Sequence, residues 1–401
     1  MPLFVHVLSL AVFAQGTSEF MLAGLIPGIA RDLSVSVGAA ASLTAAYAVG
    51  MVVGAPVMAA LSARWSRRRA LAGFLAAFVV VHVVGALTTD FAVLFGTRIV
   101  AAIVNAGFLA VAMSVATALV APERQARATA VLLSGVTLSC VVGVPAGAML
   151  GVWFGWRSAF WAVAALCLPA LALVFRSTPA DTSRPHEVSI RREVRVLKAR
   201  PVRAAMTLAA VVNGATFATF AYLAVIGTDV ARLPAGAVPG LLAAFGAGAF
   251  IGVTVAGRVG SRTRTSSRAG DGRLRRVLAP GLGLTLWALP AGWAVLALVS
   301  THPAPLFIGA VVQGGLSFGI GSALVNRVMR VAPNAPTLSG SFATVALNTG
   351  AVLGPLLAGA VTGATGDFRG AVWVSVGLAA TGGAVMAVGR LRARSNSLPL
   401  P

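Results

Sequence analysis

Long apolar runs, each closed by a short polar gap, repeat along the whole 401-residue chain. A helix rises about 1.5 Å per residue, so about 20 apolar residues cross the hydrocarbon core of a bilayer. Hydropathy and turn residues predict twelve such spans, at 3–29, 38–62, 70–89, 92–119, 127–150, 156–175, 204–229, 237–257, 277–300, 304–329, 338–363 and 369–390. Several gaps are very short, such as Arg31 to Val37 and Gly151 to Gly155, which forces the flanking helices to run antiparallel.

Composition leaves no alternative solvent. Hydrophobic residues make up 58% of the chain and charged residues 10%, against about 25% charged in an ordinary soluble domain. So few charges cannot cover a water-facing surface. The net charge of +21 would suggest nucleic acid on a soluble fold. Here the arginines fall in the gaps between apolar runs, which argues for membrane topology and against nucleic acid. One set of gaps holds Arg64, Arg67, Arg68 and Arg69, then Arg124 and Arg127, the segment from Arg176 to Arg203, Arg258 to Arg276, Arg327, Arg330 and the tail arginines Arg390, Arg392 and Arg394. The opposite set holds only Arg31, Arg157, Arg232 and Arg369, beside Asp32, Asp90, Asp229 and Asp367. The first set is therefore expected in the cytoplasm, with both termini, and an even number of spans agrees with that. No basic segment precedes residue 3, so the first run is expected to be a retained membrane helix and not a cleaved signal peptide. Cys140 and Cys167 both lie inside spans, as small apolar residues with neither a disulfide framework nor metal-ligand spacing.

The longest gap, from Arg176 to Arg203, contains Pro179, Pro185 and Pro201 and divides the spans six and six. It separates an N-terminal half (1–175) from a C-terminal half (204–390), with a cytoplasmic linker at 176–203 and a cytoplasmic tail at 391–401. Within the linker, Arg191 to Leu197 has the composition of a short surface helix or of solvated chain. A weak internal repeat supports the division. Gly143-Val144-Pro145-Ala146-Gly147 in the fifth span matches Gly350-Ala351-Val352-Leu353-Gly354-Pro355 in the eleventh, about 210 residues later. Two related six-helix halves are a hallmark of secondary transporters.

Of the ten acidic residues, only Glu19 sits well inside a span. A charge at a helix centre costs about 2.5–3.5 kcal/mol on insertion scales, so such a residue faces protein or water and is a functional candidate. Low dielectric favours the neutral acid, and a carboxyl that loads and releases a proton is what a proton-coupled pump needs. A neutral Glu hydrogen-bonded to a neighbouring helix is the structural alternative. Arg98 is the one basic residue deep in a span. Counted from the outer helix ends, Arg98 and Glu19 lie at depths of about 12 and 18 Å, within reach of a long side chain; otherwise Arg98 snorkels to the interface. Asn105 shares its helical face. Gln15, Tyr47, Asn213, Phe217, Phe220, Gln313 and Asn348 add polar and aromatic groups that suit a small amphiphile, with interhelical hydrogen bonding as the plain alternative. His82, on the third span, has no other polar residue near it. Gly143, Pro145 and Gly147 allow a kink and close helix approach.

These motifs resemble those of a known family. Arg64-Trp65-Ser66-Arg67-Arg68-Arg69 resembles the cytoplasmic loop motif of the major facilitator superfamily. Arg98 with Asn105-Ala106-Gly107 resembles its fourth-helix motif, and Gly143 to Gly147 resembles the fifth-helix motif of its drug:proton antiporters. Ala14 to Met21, Asn105 to Val111 and Gly155-Trp156-Arg157 narrow the resemblance to the chloramphenicol-resistance exporters of that superfamily. The likeness covers nearly the whole chain and is strongest up to about residue 175. There are departures: Ala63 stands where the loop motif usually has Asp, Ala59 and Ser66 replace its glycines, and Ser261 stands where the second-half counterpart commonly has Asp.

The resemblance implies an all-α membrane protein of twelve helices that exports a drug, chloramphenicol first, in exchange for protons. It implies Glu19 and Arg98 at the proton site, and Arg64, Arg67, Arg68, Gly143, Pro145 and Gly147 in gating. Localisation to a bacterial inner membrane, contact with lipid and a monomeric state are expected, with no cofactor, metal or nucleic acid. No Gly-rich phosphate loop with Lys and Ser/Thr is present to bind ATP. A sugar or metabolite exporter on the same scaffold is the alternative. A membrane enzyme would need a nucleophile, an acid–base pair or a metal cluster, and a receptor would usually add a soluble signalling segment; neither is visible.

Overall fold

The computed structural model describes residues 3–62, 65–118, 120–121, 124–177, 195–268, 281–331 and 339–395. Its main helices are α1 (Leu3–Phe20), α2 (Leu22–Asp32), α3 (Val37–Ser62), α4 (Arg67–Leu87), α5 (Phe91–Ala118), α6 (Gln125–Leu138), α7 (Val144–Phe154) and α8 (Arg157–Ser177). They continue with α9 (Arg200–Phe220), α10 (Val238–Arg268), α11 (Gly281–Val299), α12 (Pro303–Val331), α13 (Ser339–Thr365) and α14 (Gly370–Ser395). Among the described residues there is no strand. Ten helical stretches are long and apolar enough to cross a membrane, and α1 with α2 makes an eleventh as a bent pair. The apolar stretch Trp287–Val299 of α11 stands at the ninth expected span. Large side chains on the outside are themselves apolar, Phe154, Leu298 and Ile308 among them, so the bilayer is their solvent. This is the all-α membrane architecture that the hydropathy predicts.

Four spans differ from the prediction in instructive ways. The first is not one helix over 3–29: it breaks after Phe20, bends by 50° and resumes as α2 as far as Asp32. The fifth is not smooth over 127–150. It passes from α6 through a π turn, Ser139–Gly143, into α7, which runs on to Phe154. Pro145 has no N–H to give the carbonyl one turn back, and the chain widens there. The third begins at Arg67, so Arg67, Arg68 and Arg69 form the first turn of α4 and not a loop. The eighth also runs long, since α10 reaches Arg268 and takes in the stretch from Gly257 to Arg262. Arg64, most of the central linker (178–194) and the last tail residues (396–401) lie outside the described residues, while α14 carries the start of the expected tail to Ser395.

The helices pack in two groups. In the first, α1 lies against α6 and α8, α3 against α5, and α4 against α5 and α8. In the second, α9 lies against α13 and α14, α10 against α12, and α11 against α12 and α14. Contacts between groups are concentrated at fewer seams, chiefly α3 with α13, the π turn and α7 with α10, and α2 with the short helical turn Leu223–Val225. Small residues make these seams tight. A Cβ on Gly246 of α10 would collide with the Cys140 carbonyl of the π turn, and one on Gly24 of α2 would meet Leu242 of α10 at 2.9 Å. At one end, the Tyr222 hydroxyl fills the space between Gly38 of α3 and Gly359 of α13, with Phe368 beside its ring.

Candidate functional site

The break between α1 and α2 organises the interior. Met21 N–H still bonds the Thr17 carbonyl at 2.8 Å, but α2 then starts afresh, with Gly24 N–H on the Met21 carbonyl at 3.0 Å. The next carbonyl along, that of Ser18, accepts Arg98 Nη2 at 2.6 Å. A charged donor inserted into the ladder is a physical cause for the bend, and it places a cation at the C-terminal end of a half-helix, where the dipole favours one. Arg98 Nη1 also donates to Ser18 Oγ at 2.9 Å. The guanidinium lies over the Tyr47 ring, 4.6 Å from its centre, and 5.7 Å from that of Phe160. Ser18 Oγ is in turn 2.6 Å from His82 Nε2, and His82 Nδ1 is 2.7 Å from the Phe78 carbonyl. Ser18, His82 and Arg98 are all fully buried.

Glu19 follows directly, in the last turn of α1, and stays partly accessible in the interior. Arg98 and Glu19 make no ion pair: Arg98 Nη1 and Nη2 are held by Ser18, and Nε has no hydrogen-bond partner. The expected reach from Arg98 to Glu19 is thus replaced by a hold on the main chain one residue away. Tyr47 and Cys140 are within electrostatic range of the Glu19 carboxyl.

The next residue opens an aromatic cleft. Phe20 is 6.1 Å from Phe217, Phe217 is 5.9 Å from Phe220, Phe220 is 5.0 Å from Phe245, and Phe245 is 6.2 Å from Phe318. These rings come from α1, α9, α10 and α12. Phe20, Phe220, Phe245 and Phe318, with Cys140 and Val144, line a narrow cleft between the two helix groups. Phe220 lines this cleft, and Phe217 packs behind it against Phe20 and Phe220. Phe20, Phe245 and Phe318 complete it; they carry no signal in one sequence, because an aromatic residue in a span most often faces lipid or core.

The other expected site residues divide. Gln15, one turn before Glu19, is buried with neither amide atom hydrogen-bonded, and Thr44 Oγ1 on α3 is likewise unpartnered. Tyr47 and Asn105 meet each other: Asn105 Nδ2 donates to the Tyr47 hydroxyl at 2.8 Å and touches Met51 Sδ. Asn213 donates to the Leu347 carbonyl of α13 at 2.7 Å and so lies on the α9–α13 contact, whereas Asn348 bonds back to Thr344 within α13 at 3.0 Å. Gln313 is not brought to the cleft. It faces α11, donating to the Leu289 carbonyl at 3.3 Å, about 140° round α12 from Phe318 by helix geometry. His82, which looks isolated on its own helix, is tied into the Arg98 network because its partner, Ser18, comes from α1.

The gating candidates have distinct contacts. A Cβ on Gly143 would drive into the Thr17 side chain, and one on Gly147 would sit 3.1 Å from Met21 Cβ, so this face of α7 lies on α1 and α2. The matching glycines of the eleventh span, Gly350 and Gly354, lie in the same way against Ala210 and Gly214 of α9. Arg68 donates to the Phe175 carbonyl near the end of α8. At the opposite end Arg157 bridges Asp32 and the Thr88 carbonyl, and Trp156 Nε1 donates to Asp32 at 3.1 Å. Asp367 pairs with Arg369 at 2.8 Å, which holds that carboxyl below the usual carboxylate range. Among the described residues no group of His, Cys, Asp or Glu could hold a metal ion.

Two groups of membrane helices meeting at a few small-residue seams, around an interior carboxyl and an aromatic cleft, define a membrane transporter and not an enzyme. The chain belongs to the Major Facilitator Superfamily, whose family profile matches residues 8–290. It is 49% identical over 378 residues to the chloramphenicol resistance protein of Streptomyces lividans, covering 94% of this chain and 93% of that one. It is 33% identical over 359 residues to the inner membrane transport protein YdhP of Escherichia coli (strain K12), covering 89% and 88%. A solved bacterial homolog of the human lysosomal transporter Spinster, in an inward-facing and unoccupied conformation, shares the fold with a TM-score of 0.74 at 18% identity, over 96% of this chain and 95% of that one.

Proposed function

We propose that this transporter exports a small aromatic amphiphile, chloramphenicol first among candidates, across a bacterial inner membrane in exchange for protons. The observation that carries the reading is the adjacency of Glu19 and Phe20: the end of a broken helix offers an interior carboxyl and, at the next residue, the first ring of an aromatic cleft. The ring faces of Phe20, Phe220, Phe245 and Phe318 are the apolar surface on which an aryl group would stack as the cleft opens. The unpartnered Gln15 amide, one turn from Glu19, is suited to a hydroxyl or amide on the same molecule. Protonation of Glu19 and occupation of the cleft compete, so each expels the other. The name of the Streptomyces lividans relative supports this substrate.

Transport proceeds by alternating access, with the 1–175 and 204–390 halves rocking about the cleft. The linker 176–203, the tail 391–401 and both termini are cytoplasmic on the arginine distribution. The end sealed by Tyr222 is then the outer one, and the drug loads from the cytoplasm. The protein works as a monomer within the lipid. The test is drug accumulation in cells expressing the protein, with and without a protonophore, over a panel of drugs and sugars. Low chloramphenicol accumulation that rises with the protonophore supports the reading. Chloramphenicol accumulation equal to that of cells lacking the protein overturns it, and selective sugar efflux would point to the metabolite exporter instead.

A further inference from the structure

We propose that His82 is a positioning residue for the proton site: it locks the Ser18 hydroxyl so that Arg98 stays on the α1 main chain and off the Glu19 carboxylate. The inference rests on the proposed role of Glu19 in proton exchange. Its basis is the direction of each hydrogen bond. The Phe78 carbonyl can only accept, so His82 Nδ1, 2.7 Å away, is the donor. The neutral ring then presents its Nε2 lone pair to Ser18 Oγ at 2.6 Å. Ser18 must donate its single proton there, which leaves only oxygen lone pairs for Arg98 Nη1 at 2.9 Å. Arginine can only donate, so all the bonds run one way, from Arg98 through Ser18 and His82 to Phe78. A doubly protonated ring would break this order and set a second buried cation near Arg98.

The geometry leaves little slack. His82 is 1% exposed, and its ring is held against Phe78 at 4.2 Å and Phe160 at 5.8 Å. Phe160 also covers the Arg98 guanidinium. Without the Nε2 acceptor, Ser18 Oγ can rotate and turn its own proton toward Arg98. Nη1 then loses its acceptor, and the nearest carboxyl for it is Glu19, one residue from Ser18. The titratable and charged groups facing this point are Glu19 on α1, Tyr47 on α3, Arg98 on α5, Cys140 in the π turn and Cys167 on α8. Arg98 is the one cation among them, so its release is the change that matters. An arginine within about 4–6 Å favours the ionised form of a carboxyl by about 1–3 pH units.

The experiment is chloramphenicol-induced proton release from purified protein in weakly buffered detergent, followed from pH 5.5 to 9. The variants are His82→Leu, His82→Asn, His82→Gln and Ser18→Ala. His82→Leu should move the profile to the acid side by about one pH unit or more. His82→Gln should restore it, because its amide end overlies Nε2, whereas the shorter His82→Asn should behave like Leu. In a Ser18→Ala background, His82→Leu should add nothing further, since the same bond is already gone. An unmoved His82→Leu profile, an equal shift in the Gln variant, or additive effects in the double variant would overturn the proposal. If the Leu variant does not reach the membrane, the Asn–Gln comparison decides. Absence of proton release from the wild-type protein would instead sink the proposed exchange function, which keeps the two failures apart.

Discussion

Replacing Glu19 by Gln keeps nearly the same volume and polarity while removing, among the described residues, the one titratable carboxylate beside the cleft. Glu19 makes no ion pair, and its neighbour Ser18 takes up the Arg98 guanidinium, so the substitution disturbs little packing. One carboxyl at the cleft carries one proton per cycle. Exchange of a neutral drug for one proton draws about 1.4 kcal/mol from each pH unit and about 2.3 kcal/mol from each 100 mV of membrane potential. With both gradients present the driving force is about 3.7 kcal/mol, which supports a drug ratio of about 500 across the membrane, at tenfold per 1.4 kcal/mol. In Glu19→Gln that ratio should fall to one, while drug still binds and equilibrates. Glu19→Asp should retain part of the gradient, because the acid survives on a shorter arm. The assay is uptake of labelled chloramphenicol into inverted vesicles or proteoliposomes with an imposed pH gradient and potential, beside drug-induced proton release in detergent. A Gln variant that still concentrates drug and releases protons would refute the assignment. Asp229, exposed at the far end of the span that begins with α9, would then be the next candidate.

Other perturbations test the frame around the site. Gly143→Leu forces a side chain into Thr17, an overpacking of about 1–3 kcal/mol, and should abolish transport in protein that still inserts; undiminished transport would show that α1 and α7 need not pack so closely. Neutralising Arg64, Arg67 and Arg68 together should cripple export or invert topology, since Arg68 ties the start of α4 to the end of α8, and normal export with normal topology would reduce the cluster to solvated charge. A reporter fused after Arg394 should read as cytoplasmic, and an extracytoplasmic signal would overturn the orientation.

Much of the molecule is legible in the sequence. The fold class follows from where apolar runs fall, because the bilayer demands a helix of set length wherever about 20 apolar residues run together, and the family from the loop, fourth-helix and fifth-helix motifs. Glu19 and Arg98 stand out for the same reason: a charge inside such a run is costly and therefore rare. Pro145 and its glycines announce a distortion, though not that it takes the form of a π turn.

Tertiary structure decided the rest, since it depends on groups far apart in the chain. The break after Phe20 has no proline or glycine at its centre; it becomes intelligible once Arg98, 80 residues away, is seen on the Ser18 carbonyl. His82 has no polar neighbour on its own helix, and only folding brings it to Ser18, 64 positions earlier. Gln313 and Phe318 sit on one helix, and no periodicity in so largely apolar a span says which of the two faces the cleft and which turns to α11. In a lipid-exposed bundle the apolar character of each helix extends round its whole circumference, so sequence specifies that a helix spans the membrane, while the face it turns inward is set by its neighbours.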